Sequence, residues 1–252
     1  MDSDVVDVVV EGALLRISFN RPAKLNALTD EVLNLTAEAL RTADPKIRAA
    51  VITGKGRAFS AGADISAPDP EMRTHRAAIS VVSEIVKAPF PIVAAVNGVA
   101  VGVGCSIALA SDFVVAKESA SFMLPFTNLG IMPDGGASQL LAASIGRARA
   151  MELTMTAAQF TAADALAWGL VTRVVPDVEF GASVEALLGS LREGPTLAYA
   201  ATKAAVNAAS IPGFLEALDQ ELRAQAVLSG SLDHAEGIRA FGVREQPGFL
   251  GR

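Results

Sequence analysis

The sequence predicts an α/β protein with an all-helical C-terminal lobe, and three observations carry that reading. Short buried-type apolar runs alternate with amphipathic stretches as far as Asp134-Gly135-Gly136. From about Thr196 onward the apolar spacing is helical, with no strand signal. The 252 residues are 51% hydrophobic and 19% charged, enough for a sizeable core and too apolar for disorder. Aromatics supply only 5%, so the core is built from Ala, Val, Leu and Ile.

The elements follow in order. Val5–Val10 and Ala13–Phe19 flank Glu11-Gly12, a hairpin signal. The segment Asn20–Ala27 is turn-rich and polar, and Thr29-Asp30 then opens a helix with Val32, Leu33, Leu35 and Leu40 on its apolar side. Arg48–Thr53 reads as a buried strand running into a small-residue loop, 54–64. A helix is expected around Met72–Val86, a strand at Pro91–Val96, a helix at Cys105–Ala110 and a strand at Phe113–Ala116. One later strand is expected at Leu170–Val175. Thr161 to Asp164 forms a capping box for a short helix that Gly169 stops. Three helices end the chain, at Leu197–Ala209, Gly213–Leu228 and Leu232–Phe241. They form a second lobe, folded over the core or packed on another subunit.

Composition excludes several function classes. The 21 basic residues against 27 acidic ones leave a formal charge of −6, which disfavours a nucleic-acid partner. One cysteine and two histidines leave neither an internal disulfide nor a metal site of those ligands, so no metal is expected. The N-terminal MDSDVVD lacks the basic and apolar regions of a secretory signal, so a cytoplasmic protein is expected. Ala88–Ser111 carries no charge and approaches the roughly 20 residues of a membrane span. Pro89, Pro91 and Asn97-Gly98 break it, so it reads as strand, turn and helix, with no membrane partner.

Two glycine-bearing loops, 60–64 and 98–104, each follow a buried strand. Two such loops can aim two backbone amides at one carbonyl oxygen, an oxyanion hole. The second loop lacks both G-x-G-x-x-G and G-x-x-x-x-G-K-[ST], so dinucleotide and nucleotide-phosphate cradles are disfavoured. Cys105, in an apolar run, reads as buried filler. A serine-hydrolase role for Ser106 lacks a base, since His75 reads as surface and His234 lies in the terminal helix region.

The chain resembles the crotonase family, the enoyl-CoA hydratases and isomerases. The resemblance rests on N-R-P-x-K-x-N-A-L (20–28), F-S-A-G-A-D-I (59–65), P-I-V-A-A-V-N-G-V-A-V-G-V-G-C (91–105), N-L-G-I-M-P-D-G-G (128–136), A-W-G-L-V-T-R-V-V-P (167–176) and E-G-I-R-A-F (236–241). It implies a crotonase-like spiral of ββα units over residues 1–195, which binds an acyl-CoA thioester. It also implies a helical trimerisation lobe over 196–252, giving a homotrimer or homohexamer. The thioester carbonyl would sit between the amides of Ala63 and Val103. Coenzyme A would contact Lys24, Ala61, Asp64, Ile65 and Gly104, with Phe126, Met123 and Met132 along the acyl chain. No cofactor is implied, because coenzyme A belongs to the substrate.

Where the family's hydratases carry two glutamates, this sequence has Ser106 and Phe126. Neither is an ionised base near neutral pH. Asp134 matches the acidic residue of isomerase-like relatives, so the resemblance favours an isomerase that converts 3-enoyl-CoA to 2-enoyl-CoA. Hydration or other enolate chemistry and catalytically silent acyl-CoA binding are the alternatives. Asp134 also has a simpler role open to it, as N-cap of a helix beginning at Gly135.

Overall fold

The computed structural model describes residues 4–66, 69 and 71–252. The chain opens with the expected hairpin, β1 (Val6–Glu11) antiparallel to β2 (Leu14–Phe19), turning at Gly12 with φ +62°. Helix α1 (Asp30–Arg41) starts where the Thr29 hydroxyl accepts the Val32 N–H, and it buries Val32, Leu33, Ala37 and Leu40. Three ββα units then follow one another. They are β3 (Ala49–Gly54), β4 (Ala58–Ser60) and α2 (Arg73–Lys87); β5 (Ile92–Val96), β6 (Val99–Val101) and α3 (Val103–Ala110); and β7 (Phe113–Lys117), β8 (Ser121–Met123) and α4 (Ala137–Ile145).

The first strand of each unit joins one sheet and the second joins another, which makes the spiral. The larger sheet runs β1-β2-β3-β5-β7 and ends on β10 (Arg173–Val175). The smaller runs β4-β6-β8 and ends on β9 (Phe160–Thr161). Every residue of β5 is buried, as a parallel strand covered on both faces requires. One face packs against α1, α2 and α3. The other meets Val184, Leu187, Leu188 and Leu191 of α7 (Phe180–Glu193). Helix α5 (Arg147–Thr156) precedes β9, and α6 (Ala162–Trp168) links β9 to β10, with the expected Thr161–Asp164 capping box and a left-handed Gly169.

The chain ends in α8 (Thr196–Ser210), α9 (Phe214–Leu228) and α10 (Leu232–Val243). Helix α9 rests on α2, and α10 on the 3-10 turn Pro125–Leu129 of the same chain. Helix α8 buries no residue, and Leu197, Val206, Val227 and Phe241 stand exposed along the three helices. Among the described residues no helix is long and apolar enough to cross a membrane.

Four expectations need correction. The loops at 54–64 and 98–104 contain the short strands β4 and β6, and β8 went unseen. Three residues are too few to show an alternation. Helix α3 starts at Val103 rather than Cys105. Leu170 and Val171 precede β10 and bond back to the Ala165 carbonyl as the turn that leaves α6. Helix α4 starts at Ala137, because Gly135 and Gly136 both take left-handed φ, +63° and +78°.

Candidate active site

The parallel strands β4 and β6 leave the small sheet through Gly62 and Gly102, with φ of +90° and +53°. A Cβ on Gly62 would stand 3.0 Å from the Val101 carbonyl oxygen, so the two turns approach too closely for a side chain there. The Ser60 hydroxyl accepts the Gly62 N–H at 3.1 Å and fixes the first turn. Ala63 and Val103 come next. Leu28 bridges both flanks of Ala63, donating to the Gly62 carbonyl (2.8 Å) and accepting from the Asp64 N–H (2.9 Å). That pairing turns the N–H of Ala63 away from Leu28. Val103 is the first residue of α3, where an amide has no intrahelical acceptor. Among the described residues neither N–H has an acceptor, and both residues line one cavity of about 830 Å³.

Asp134 forms part of the same cavity wall, with its residue only 6% exposed. Its side chain does not cap α4. Glu221, from α9, does that instead, accepting the N–H of Gly136 (2.8 Å), the N–H of Ser138 (3.2 Å) and the Ser138 hydroxyl. Asp134 Oδ2 accepts one bond, from Gln225 Nε2 at 3.3 Å, and His75 Nε2 stands 3.6 Å away. Oδ1 is buried with no partner among the described residues. Burial therefore pushes the Asp134 carboxyl up to about 7, against the one bond from Gln225. Burial also raises Glu221 to about 7, opposed by the bonds from Ser138 and Gly136. The cavity's other carboxylates differ. Asp64 is held below the usual range by the Ser66 hydroxyl and by Arg21 at 2.9 Å. Burial would raise Asp69, but the Thr74 and Arg73 amides overcome it and hold that carboxyl low.

Residues 10–252 match the family described as Enoyl-CoA hydratase/isomerase. The chain belongs to the enoyl-CoA hydratase/isomerase family. It is 36% identical to a 1,2-epoxyphenylacetyl-CoA isomerase of Escherichia coli K12, over 96% of this chain and 97% of that one. It is 37% identical to a probable enoyl-CoA hydratase of Rhodobacter capsulatus, over 96% of each. A crystal structure of an enoyl-CoA hydratase from Mycobacterium avium subsp. paratuberculosis superposes with a TM-score of 0.92 at 43% identity, covering 98% of both chains. As a family member with this fold, the chain is an acyl-CoA enzyme, and its relatives carry both hydratase and isomerase names.

Within this enoyl-CoA hydratase/isomerase site, the structure gathers Ala61, Ala63, Asp64, Ile65, Val103, Phe126 and Asp134 around the cavity. Four expected residues are not in its wall. Lys24 is exposed at the end of the 3-10 turn Pro22–Lys24. Gly104 is buried against Ser60, whose Cβ leaves 2.6 Å for a side chain there, so its role is close packing. Met123 and Met132 lie outside the wall as well. Ser106 is fully buried and donates to the Asp134 carbonyl at 2.8 Å. Cys105 is buried filler, its thiol pushed up to about 12 by burial.

His75 is drawn inward from the expected surface, while His234 sits in the terminal helix α10 as expected. His75 and His234 both line the cavity, and His234 Nδ1 lies 2.8 Å from the Leu129 carbonyl oxygen. A signal for His75 was available in its i+3 and i+7 spacing to Ala78 and Val82 on the buried face of α2.

Proposed function

We propose that the chain is an enoyl-CoA isomerase that converts a 3-enoyl-CoA into a 2-enoyl-CoA. The observation that carries this reading is the unpartnered Oδ1 of Asp134 in the cavity that Ala63 and Val103 also line with free amides. The thioester oxygen accepts both N–H groups, which stabilises the enolate formed when a proton leaves the adjacent carbon. Asp134 takes that proton and returns it two carbons further along. The C–H electron pair becomes part of the new C2–C3 double bond as the old one is consumed at C4. Coenzyme A is part of the substrate, and the step uses no other cofactor. The 1,2-epoxyphenylacetyl-CoA isomerase relative supports isomerase chemistry.

Hydration is the second reading, because several relatives are named hydratases. Against it, the Ser106 hydroxyl is committed to a backbone carbonyl and Phe126 offers no polar atom to hold a water. The test is incubation with 3-enoyl and 2-enoyl thioesters followed by mass analysis. Interconversion at constant mass is expected. Gain of one water would establish hydration, and binding without any change would favour a silent binder.

The same reading divides the chain into a catalytic core, 1–195, and a helical lobe, 196–252, that assembles copies of it. The exposed Leu197, Val206, Val227 and Phe241 support a homotrimer or homohexamer. Light scattering that gives a 26.0 kDa particle at micromolar concentration would remove that assembly. A single, buried cysteine fits a reducing, cytoplasmic setting.

A further inference from the structure

His75 is the one polar side chain from α2 that both lines the cavity and touches Asp134. Its Nε2 faces Asp134 Oδ2 at 3.6 Å, short of a formed hydrogen bond. Contacts to a general base are often long in an unliganded site and tighten when substrate binds. The second ring nitrogen, Nδ1, is buried with no partner among the described residues, so no competing bond holds the ring elsewhere. Gln225 approaches the same oxygen, Oδ2, from α9. Two donors therefore converge on Oδ2, and Oδ1 is left bare.

We propose that His75 is the positioning residue of Asp134, its Nε2–H donating to Oδ2 in the loaded site and so assigning Oδ1 to the substrate's proton. The inference rests on the reading of Asp134 as the base. It adds which of its oxygens acts, and what holds the carboxylate in place. The imidazole has to carry its proton on Nε2 to do this. Burial lowers the His75 pKa and keeps the ring neutral, opposed by the charge of Asp69 and aided by His234 from α10. Asp134 in turn faces Glu221 and Gln225 from α9 besides His75. A donor to the ionised carboxylate stabilises the charged form, so His75 holds the working pKa of Asp134 down.

The experiment follows kcat and KM against pH for wild type, His75→Phe and His75→Gln with one 3-enoyl thioester. In His75→Phe the acid limb of kcat is expected to move up by about one pH unit, with KM little changed. Well below that limb its kcat falls by about tenfold, and by less as pH approaches it. His75→Gln offers an amide N–H in place of Nε2–H and restores the limb. An unmoved limb in His75→Phe, or a Gln variant that behaves like the Phe one, would overturn the proposal.

A second measurement needs no turnover. Only two histidines are present, so His75→Phe assigns the His75 ring resonance by its loss. That resonance, followed by NMR against pH, is expected to show two steps in the wild type, and the upper one vanishes in Asp134→Asn. Superimposable curves would sink the pairing. A coupled titration in a protein that leaves 3-enoyl thioesters unchanged would keep the pairing and remove the isomerase reading.

Discussion

The two sides of the cavity are made differently. Its floor is main chain, the amides of Ala63 and Val103 set by two glycine turns on neighbouring strands of one small sheet. Another part of its wall is side chain, the Asp134 carboxyl on a turn that α9 holds through Glu221 and Gln225 and that α2 meets through His75. A donor built from backbone depends on φ, ψ and the absence of proline, and tolerates most side chains. A carboxylate built from side chains depends on partners nearly a hundred residues away in sequence. The floor is therefore robust and local, and the wall is chemically tunable and distributed.

Four substitutions and a titration test that contrast, beginning with the largest effect. Asp134→Asn keeps the shape and deletes the proton acceptor, so kcat for a 3-enoyl thioester should fall by about 10²–10⁴-fold. Folding should survive, because Glu221 and not Asp134 caps α4. Asp134→Ala should likewise melt no lower than wild type. A loss of about 0.5–2 kcal/mol in that variant would mean the carboxylate does cap after all.

On the floor, Ala63→Pro removes one amide that has no acceptor among the described residues. Turnover should drop on the order of 100-fold while acyl-CoA binding persists. A folded Ala63→Pro variant with wild-type kcat would show that the floor does not touch the reacting oxygen.

Next comes the clamp. Glu221→Ala leaves the Gly136 and Ser138 amides without their acceptor and should cost about 1–3 kcal/mol of stability, read by denaturant melts. It should also lower kcat more than it raises KM, since it loosens Asp134 and leaves the amides of Ala63 and Val103 in place. Equal damage to both constants would place α9 in substrate binding instead.

The remaining test is a pH dependence. The Asp134 carboxyl is raised from 3.8 to about 7 in the fold, so the native state holds that proton more tightly than the unfolded chain. Its contribution to stability is present below 3.8 and is lost as pH rises through about 7. Asp134→Asn has no such loss, so its melting temperature should gain on wild type as pH rises across that window. Parallel curves would mean that the wild-type carboxyl titrates normally.

The contrast also explains what the sequence could and could not disclose. Glycine before Ala63 and before Val103 was visible as a local pattern, because a positive φ leaves its mark on a single residue. The first strands of the ββα units were visible through their apolar runs. Their second strands, three residues each, were too short to show a period. The position of Asp134 was found through family likeness, but the cap assigned to it belongs to Glu221, and no local rule reaches across 85 residues. His75 looked like surface because its neighbours Arg73, Thr74 and Arg76 are polar, although its helical spacing points inward. Lys24 carried a family expectation that the geometry of its exposed turn did not bring to the cavity.

The cap that Glu221 places on α4 also sets an order in time. Ribosomes add roughly 5–20 residues per second, so on the order of ten seconds separates Gly104 from Glu221 on the growing chain. Throughout that interval both floor amides and the residues of β4 and β6 that carry them have already been made. Asp134 follows well before Glu221, but until α9 is made the Gly136 amide lacks its acceptor and Oδ2 has no Gln225 beside it. A chain that ends before α9 therefore carries the residues of the floor but neither of the α9 side chains that hold the Asp134 turn, and that wall is completed only when α9 emerges and docks.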